Sequence, residues 1–197
     1  MERAGLRRKL LKAQAEAGDI VLLFGDESEA LTHPYLAHAW AKKGADLRVP
    51  APGQAAKVAM FGLLDWARRA LIVRTSRTKR SSDFIALLEE IGRHYGPVPG
   101  VPIKPVCLVL DNGPIHTSKL TRAALEQRAH WLTVEWLPKY APELNDIEAL
   151  WRELKRHHLA HQTFSGPEDL HGAIQKAVME LNAERNRHPL ANHQSAA

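Results

Sequence analysis

The chain has one cysteine, Cys107, in 197 residues. An intramolecular disulfide is therefore excluded, and so is a cysteine-rich zinc site. Cys107 sits in the apolar run Pro105–Leu110 and reads as a small buried hydrophobe. No apolar stretch has the length of a membrane span. The basic N-terminus, Met1 to Lys12, lacks the apolar core of a signal peptide. Aromatic residues are scarce, at 6%. Trp40, Trp66, Trp131, Trp136 and Trp151 read mostly as core or strand residues and form no base-stacking platform. Internal repeats are absent, as is any clear domain boundary. These absences point to a protein of a reducing interior, hence the cytoplasm.

What remains is an ordinary globular composition, 45% hydrophobic and 25% charged, long enough to bury a core. The net charge of +5 permits a polyanionic partner without demanding one. Residues 2–17 suggest a surface helix with a thin stripe of Leu6, Leu10 and Leu11, ended by Gly18-Asp19. Ile20–Phe24 and Val106–Leu110 are short, fully apolar runs closing at Gly25-Asp26-Glu27 and Asp111-Asn112-Gly113, which predicts buried central strands. Trp131–Leu137 predicts a third. Weaker strands are expected at Leu36–Trp40, Lys57–Trp66 and Ala70–Thr75, separated by turn-rich stretches that include Pro50-Ala51-Pro52-Gly53, as an antiparallel meander.

Helices are expected from Ser82 to Tyr95, from Thr117 or Ser118 to Ala129, from Asp146 to His161, and from the capping box Ser165-Gly-Pro-Glu168 to His188. The tail 189–197 is polar. A meander followed by β-α-β units gives an α/β fold, a mixed sheet flanked by helices.

Asp26 and Asp111 each follow an apolar strand, where ligands of mixed and parallel sheets gather. Neighbouring strands would bring the two carboxylates together, and a divalent cation with a taste for hard oxygen would relieve their repulsion. Taken singly, each Asp is better explained by a turn. Glu148 lies near a helix start. The spacing Asn145-x-x-Glu148 is also that of a capping box. Ile147, Leu150, Trp151 and Leu154 form the apolar stripe of that helix. Glu148 sits at its edge, followed at i+4 and i+7 by Arg152 and Lys155. Such a face suits a metal ligand beside a phosphate backbone, or a solvated ion pair.

Three blocks carry a resemblance: Phe24-Gly-Asp-Glu-Ser28, Leu110-Asp-Asn-Gly-x-x-His116, and Pro138-x-Tyr140-Ala-Pro-Glu-Leu-Asn145-x-Ile-Glu148-x-x-Trp151. In content and order they resemble the motifs of the mariner superfamily of DDE transposases, most of all its bacterial insertion-sequence branch. The 36 residues between Asp111 and Glu148 approach that family's spacing of the last two acids. The resemblance implies a ribonuclease-H-like fold over 19–188, with 1–18 as a helical stub from a DNA-binding region. It implies Asp26, Asp111 and Glu148 as catalytic and metal-binding acids. Two Mg²⁺ or Mn²⁺ ions, about 3.5–4 Å apart, would drive strand cleavage and strand transfer at transposon ends. It also implies Asn112 and His116 as supporting residues, DNA as partner, a homodimer when assembled on DNA, and association with the nucleoid.

Arg74, Arg77, Lys79 and Arg80 form a basic loop that, with Arg152 and Lys155, is the candidate DNA-binding set. Glu27 should point away from Asp26 and support the fold. His157, His158 and His161 suit a solvated or DNA-facing helix end better than zinc. Asp146 stands where the family usually has proline, adding a fourth carboxylate near the site. Relatives carry a helix-turn-helix region ahead of the first strand, so a catalytic fragment, one product of a split frame or a decayed remnant is expected. A silent DNA-binding regulator and another ribonuclease-H-like nuclease are the alternatives.

Overall fold

The computed structural model describes residues 2–38, 40–51, 53–139 and 141–187. The expected polar tail 189–197, the helix end at His188, Pro52 and Tyr140 lie outside them.

The chain runs α1 (Glu2–Glu16), β1 (Val21–Leu31), β2 (Lys57–Asp65), β3 (Ala70–Ser76), α2 (Ser81–Tyr95), β4 (Val106–Leu110), a short α3 (Pro114–Thr117), α4 (Lys119–Glu126) and β5 (Leu132–Trp136). A 3-10 turn (Pro142–Leu144), α5 (Ile147–Glu153), a π-helical turn (Leu154–His158) and α6 (Pro167–Arg187) complete it. The strands form one mixed sheet in the order β3-β2-β1-β4-β5. β1, β2 and β3 are the antiparallel meander; β1, β4 and β5 run parallel.

Alternation along the strands divides the core in two. Leu22, Phe24, Met60, Cys107 and Val109 face one side, with Leu11 of α1, Ile147 and Trp151 of α5, and Ile174 and Leu181 of α6. Leu23, Phe61, Leu63, Leu108 and Leu110 face the other, with Phe84, Leu87, Leu88 and Ile91 of α2 and Leu125 of α4. Each fully buried large side chain contributes about 1.5–3 kcal/mol, so these two layers hold the sheet. β3 is an outer strand, and α6 covers its backbone. Asn182 accepts from the Leu71 amide and donates to the Leu71 carbonyl, both at 2.8 Å.

Several expectations change. β1 does not stop at Phe24 but continues through Gly25–Leu31, because β2 pairs with it along that length, from Leu23↔Asp65 to Leu31↔Lys57. Asp26 is thus inside a strand. The strand expected at Leu36–Trp40 does not form among its described residues; Tyr35 makes only a lone bridge to Ala160. Trp40 is fully exposed and Trp136 partly so, unlike buried Trp131 and Trp151. The helix expected over 146–161 is α5 followed by the π-helical turn. Ser165 bonds Asp169, not Glu168, ahead of α6. Asn145 does not cap α5; its side-chain amide donates to the Gly25 carbonyl at 3.1 Å. Helix α1 is docked, with Leu11 and Ala15 buried and Leu6 and Leu10 exposed.

Candidate active site

The parallel register sets the site. Phe24 of β1 lies opposite Val109 of β4, and two residues beyond that pair, on each chain segment, are Asp26 and Asp111. Asp26 shares the strand-face parity of Phe24, whose side of the sheet also holds α5, and Asp111 lies just past the end of β4. Glu148 occupies the first turn of α5.

Asp26 is largely buried. Burial, then the charge of Glu148, then that of Glu27, push its carboxyl up to about 7, against weaker opposition from the Glu27 amide and the Trp151 side chain. Trp151 Nε1–H donates to Asp26 Oδ2 at 3.1 Å. That contact depends on Gly62, the β2 partner of Asp26. A Cβ at Gly62 would lie 2.5 Å from two carbons of the Trp151 ring. A strand-interior glycine signals such a close approach.

Asp111 stands on the loop after β4 with its side chain 52% exposed. Its Oδ1 accepts from the Gly113 amide at 2.9 Å and meets His116 Nδ1 at 2.5 Å. The hydrogen bond to His116 holds the Asp111 carboxyl below the usual carboxylate range, burial opposing it. His116 is fully buried against Phe84, and its Nε2 lies 2.9 Å from Glu27 Oε2. Burial alone would push the imidazole down, but Asp111 and Glu27 raise it to about 9. His116 thus lies between two carboxylates, in contact with Asp111 through Nδ1 and near Glu27 through Nε2. Asn112 donates to the Leu137 carbonyl and pins the loop to the end of β5.

Lys155 of the π-helical turn donates to Ser28 Oγ of β1 at 2.7 Å. Burial lowers its affinity for the proton, while Glu148, Glu29 and Asp26 act to raise it. Lys79 is close enough to be felt by both Asp111 and Lys155. Lys79, Arg80 and Arg152 are exposed, whereas Arg74 pairs with Glu90 at 3.6 Å and Arg77 with Glu168 at 2.9 Å. His158 is turned away, toward Glu180 and Glu184 of α6 at 3.8 and 3.7 Å. Asp146 is ion-paired to Arg8 and Lys12 of α1.

Asp26 and Glu148 thus converge, whereas Asp111 is turned toward His116. Among the described residues no three His, Cys, Asp or Glu side chains are already drawn around one point as a bound ion requires. The donor chemistry nevertheless fits a hard divalent cation. All three groups are carboxylates, and Asp26, largely withdrawn from water, stands close enough to Glu148 to feel its charge. Reading the sequence alone did not find Gly62, the Trp151 donor, the Glu27–His116 contact or the Ser28–Lys155 pair. The glycine inside the apolar run Val58–Leu64 was the available signal.

A mixed 3-2-1-4-5 sheet with helices on both faces, Asp26 inside β1 and Asp111 just past the end of the neighbouring parallel β4, defines a ribonuclease-H-like fold. Residues 21–171 match the DDE superfamily endonuclease family, and the chain belongs to it. It is 28% identical over 133 residues to an insertion element IS630 uncharacterized 39 kDa protein of Shigella sonnei, across 68% of this chain and 37% of that protein. Its fold is similar to a Mos1 transposase paired-end complex with the left transposon end, at a TM-score of 0.58 and 18% identity, covering 93% of this chain and 60% of Mos1. A mariner Mos1 paired-end complex with Mg gives a TM-score of 0.57 at 16% identity, over 98% and 61%. The chain therefore spans less than two thirds of the length of each of these relatives. Family membership implies use of a divalent metal. No helix among the described residues is long and apolar enough to cross a membrane.

Proposed function

We propose that this chain is the catalytic domain of a mariner-superfamily transposase of the bacterial insertion-sequence branch. In this reading it cuts DNA at transposon ends and joins the ends to target DNA as a homodimer assembled on DNA. Asp26, Asp111 and Glu148 would hold two divalent cations, Mg²⁺ or Mn²⁺. Such ions, when bound, supply an activated water or 3′-hydroxyl and neutralise charge at the phosphorus.

The observation that carries the reading is the state of Asp26. It is a largely buried carboxylate raised to about 7 and close to Glu148, while Asp111 follows directly on the adjacent parallel strand β4. Two carboxylates held close, one of them largely withdrawn from water, repel each other, and such a pair points to a functional reason. The protein's own groups then divide the work. Trp151 orients Asp26 through Oδ2. His116, keeping its proton, holds Asp111 ionised and oriented. Lys155, anchored on Ser28, brings a cation to the same face, where it can meet the phosphodiester being cut. Lys79, Arg80 and Arg152 extend that positive surface outward. In-line displacement at phosphorus is largely electrostatic, so no nucleophilic side chain is required.

The test is nicking of supercoiled DNA by the purified chain with Mn²⁺. Asp111→Asn is expected to abolish nicking with DNA binding near normal. Equal loss of folding would make Asp111 a structural residue, and an RNA–DNA hybrid preferred over duplex ends would reassign the substrate.

A further inference from the structure

Glu148 is delivered by the stretch that follows β5, and α1 grips that stretch from outside. Arg8 Nη1 donates to the Glu143 carbonyl at 3.0 Å and lies 3.3 Å from Asp146 Oδ1. The Lys12 ammonium lies 2.5 Å from Asp146 Oδ2. Asp146 occupies the residue before α5 yet makes no side-chain cap there; both its oxygens are engaged by α1. Arg8 and Lys12 are one turn apart, so their cations arrive on one face.

The grip is built in rather than incidental. Leu11 and Ala15 seat α1 in the same core as Leu144, Ile147 and Leu150. The Lys12 ammonium also lies 5.2 Å from the Trp66 ring centre and 6.0 Å from that of Phe24. The side chains of Arg8, Lys12 and Asp146 are 28%, 24% and 21% exposed, so solvent screens the network only in part. From the other side, Asn145 fastens the same stretch to the Gly25 carbonyl, next to Asp26. Glu148 is therefore reached through a segment fixed at two points, one on β1 and one on α1.

We propose that Arg8, Lys12 and Asp146 form a latch through which α1 positions the turn ahead of Glu148, and that release of the latch weakens the chain's hold on a divalent cation. The second half rests on Glu148 being a metal ligand, as in the reading above. Arg8, Lys12 and Asp146 are positioning residues, since none of them faces the reacting atoms.

Charge alone gives the opposite expectation for two of the three. Removing a positive side chain near the acids strengthens cation binding through space, whereas loss of a latch weakens it. The experiment compares wild type with Lys12→Met, Arg8→Met, Lys12→Arg and, for exchange only, Asp146→Asn. Mn²⁺ affinity is read from the free-ion EPR signal, and amide hydrogen exchange is followed across 144–150. Both Met variants are expected to bind Mn²⁺ about two- to fivefold more weakly, the scale of a partly exposed ion pair, and to exchange faster at 146–150. Lys12→Arg is expected to resemble wild type in both. The double variant Lys12→Met with Asp146→Asn should exchange no faster than the faster single variant, because one contact is lost only once. Unchanged or tighter Mn²⁺ binding with unchanged exchange overturns the latch. Faster exchange with unaltered Mn²⁺ binding overturns the link from the latch to cation binding. Should wild type bind no Mn²⁺, the assignment of the acids fails instead, and the positioning of 146–150 is still decided by exchange: faster in the Met variants supports it, unchanged refutes it.

Discussion

Asp26 illustrates how one side chain can set both stability and chemistry. Its carboxyl titrates near 7 in the folded chain against 3.8 ordinarily, raised first by burial and then by Glu148. The folded state therefore holds that proton more tightly than the unfolded one. Nothing is lost below the ordinary value; the cost of ionisation grows as the pH rises from about 4 to about 7 and is complete above. At ~1.4 kcal/mol per unit, the penalty approaches roughly 4 kcal/mol. In metal-free buffer, Asp26→Asn should therefore unfold at higher urea than wild type at pH 8, with the gap closing toward pH 4. A gap that stays constant with pH would remove Asp26 from this role. Gly62 is the neighbouring case. Gly62→Ala places a methyl 2.5 Å from the Trp151 ring. It should cost about 1–3 kcal/mol in urea unfolding, and it should slow nicking because Trp151 leaves Asp26. The approach of Glu148 to Asp26 and the pairing of Asp111 with His116 involve residues that the motif blocks single out. The packing of Gly62 against Trp151 was not legible, because it joins residues far apart in sequence through a close approach that only the folded sheet creates.

At the level of elements, the apolar runs were the readable part. Val106–Leu110 and the Phe84, Leu87, Leu88, Ile91 stripe announced β4 and α2, since burial on both faces, or on one helical face, imposes those patterns. The second half of β1, Gly-Asp-Glu-Ser-Glu-Ala-Leu, reads as a turn because its strand character comes from pairing with β2 and not from its own side chains. The π-helical turn at 154–158 left no sequence signal that we can identify. Helix α2 carries a testable cap. Asp83 accepts from Thr78 Oγ1 at 2.7 Å, Ser76 Oγ at 2.8 Å and the Arg80 amide at 3.0 Å. Burial raises its carboxyl, but these bonds outweigh that and hold it below the usual value. The stabilisation is present above the ordinary carboxylate range and lost as the pH falls through the lowered one. Asp83→Ala should cost about 1 kcal/mol at pH 7 and progressively less in acid, as followed by thermal unfolding.

Across the whole molecule, positive charge is distributed unevenly with respect to its partners. Arg74 and Arg77 are ion-paired within the chain, whereas Lys79, Arg80 and Arg152 stand exposed and Lys155 lies half-buried beside the acids. DNA affinity should fall with salt in proportion to the phosphates neutralised, each contributing about −0.9 to the logarithmic slope. Lys79→Ala is expected to flatten that slope by about one, and Arg77→Ala to change it less, as measured by fluorescence anisotropy across a salt series. The sequence grouped all four loop cations together because spacing does not reveal which of them Glu90 and Glu168 engage.

Asn182 makes both of its hydrogen bonds to Leu71, on the sheet's outermost strand. The polar groups that a bare margin would offer to a stranger's backbone are there already answered by a side chain. A protein shortened within its last long helix would leave those groups unanswered and open a template on which identical molecules could stack. The final turns of that helix thereby guard solubility as well as packing.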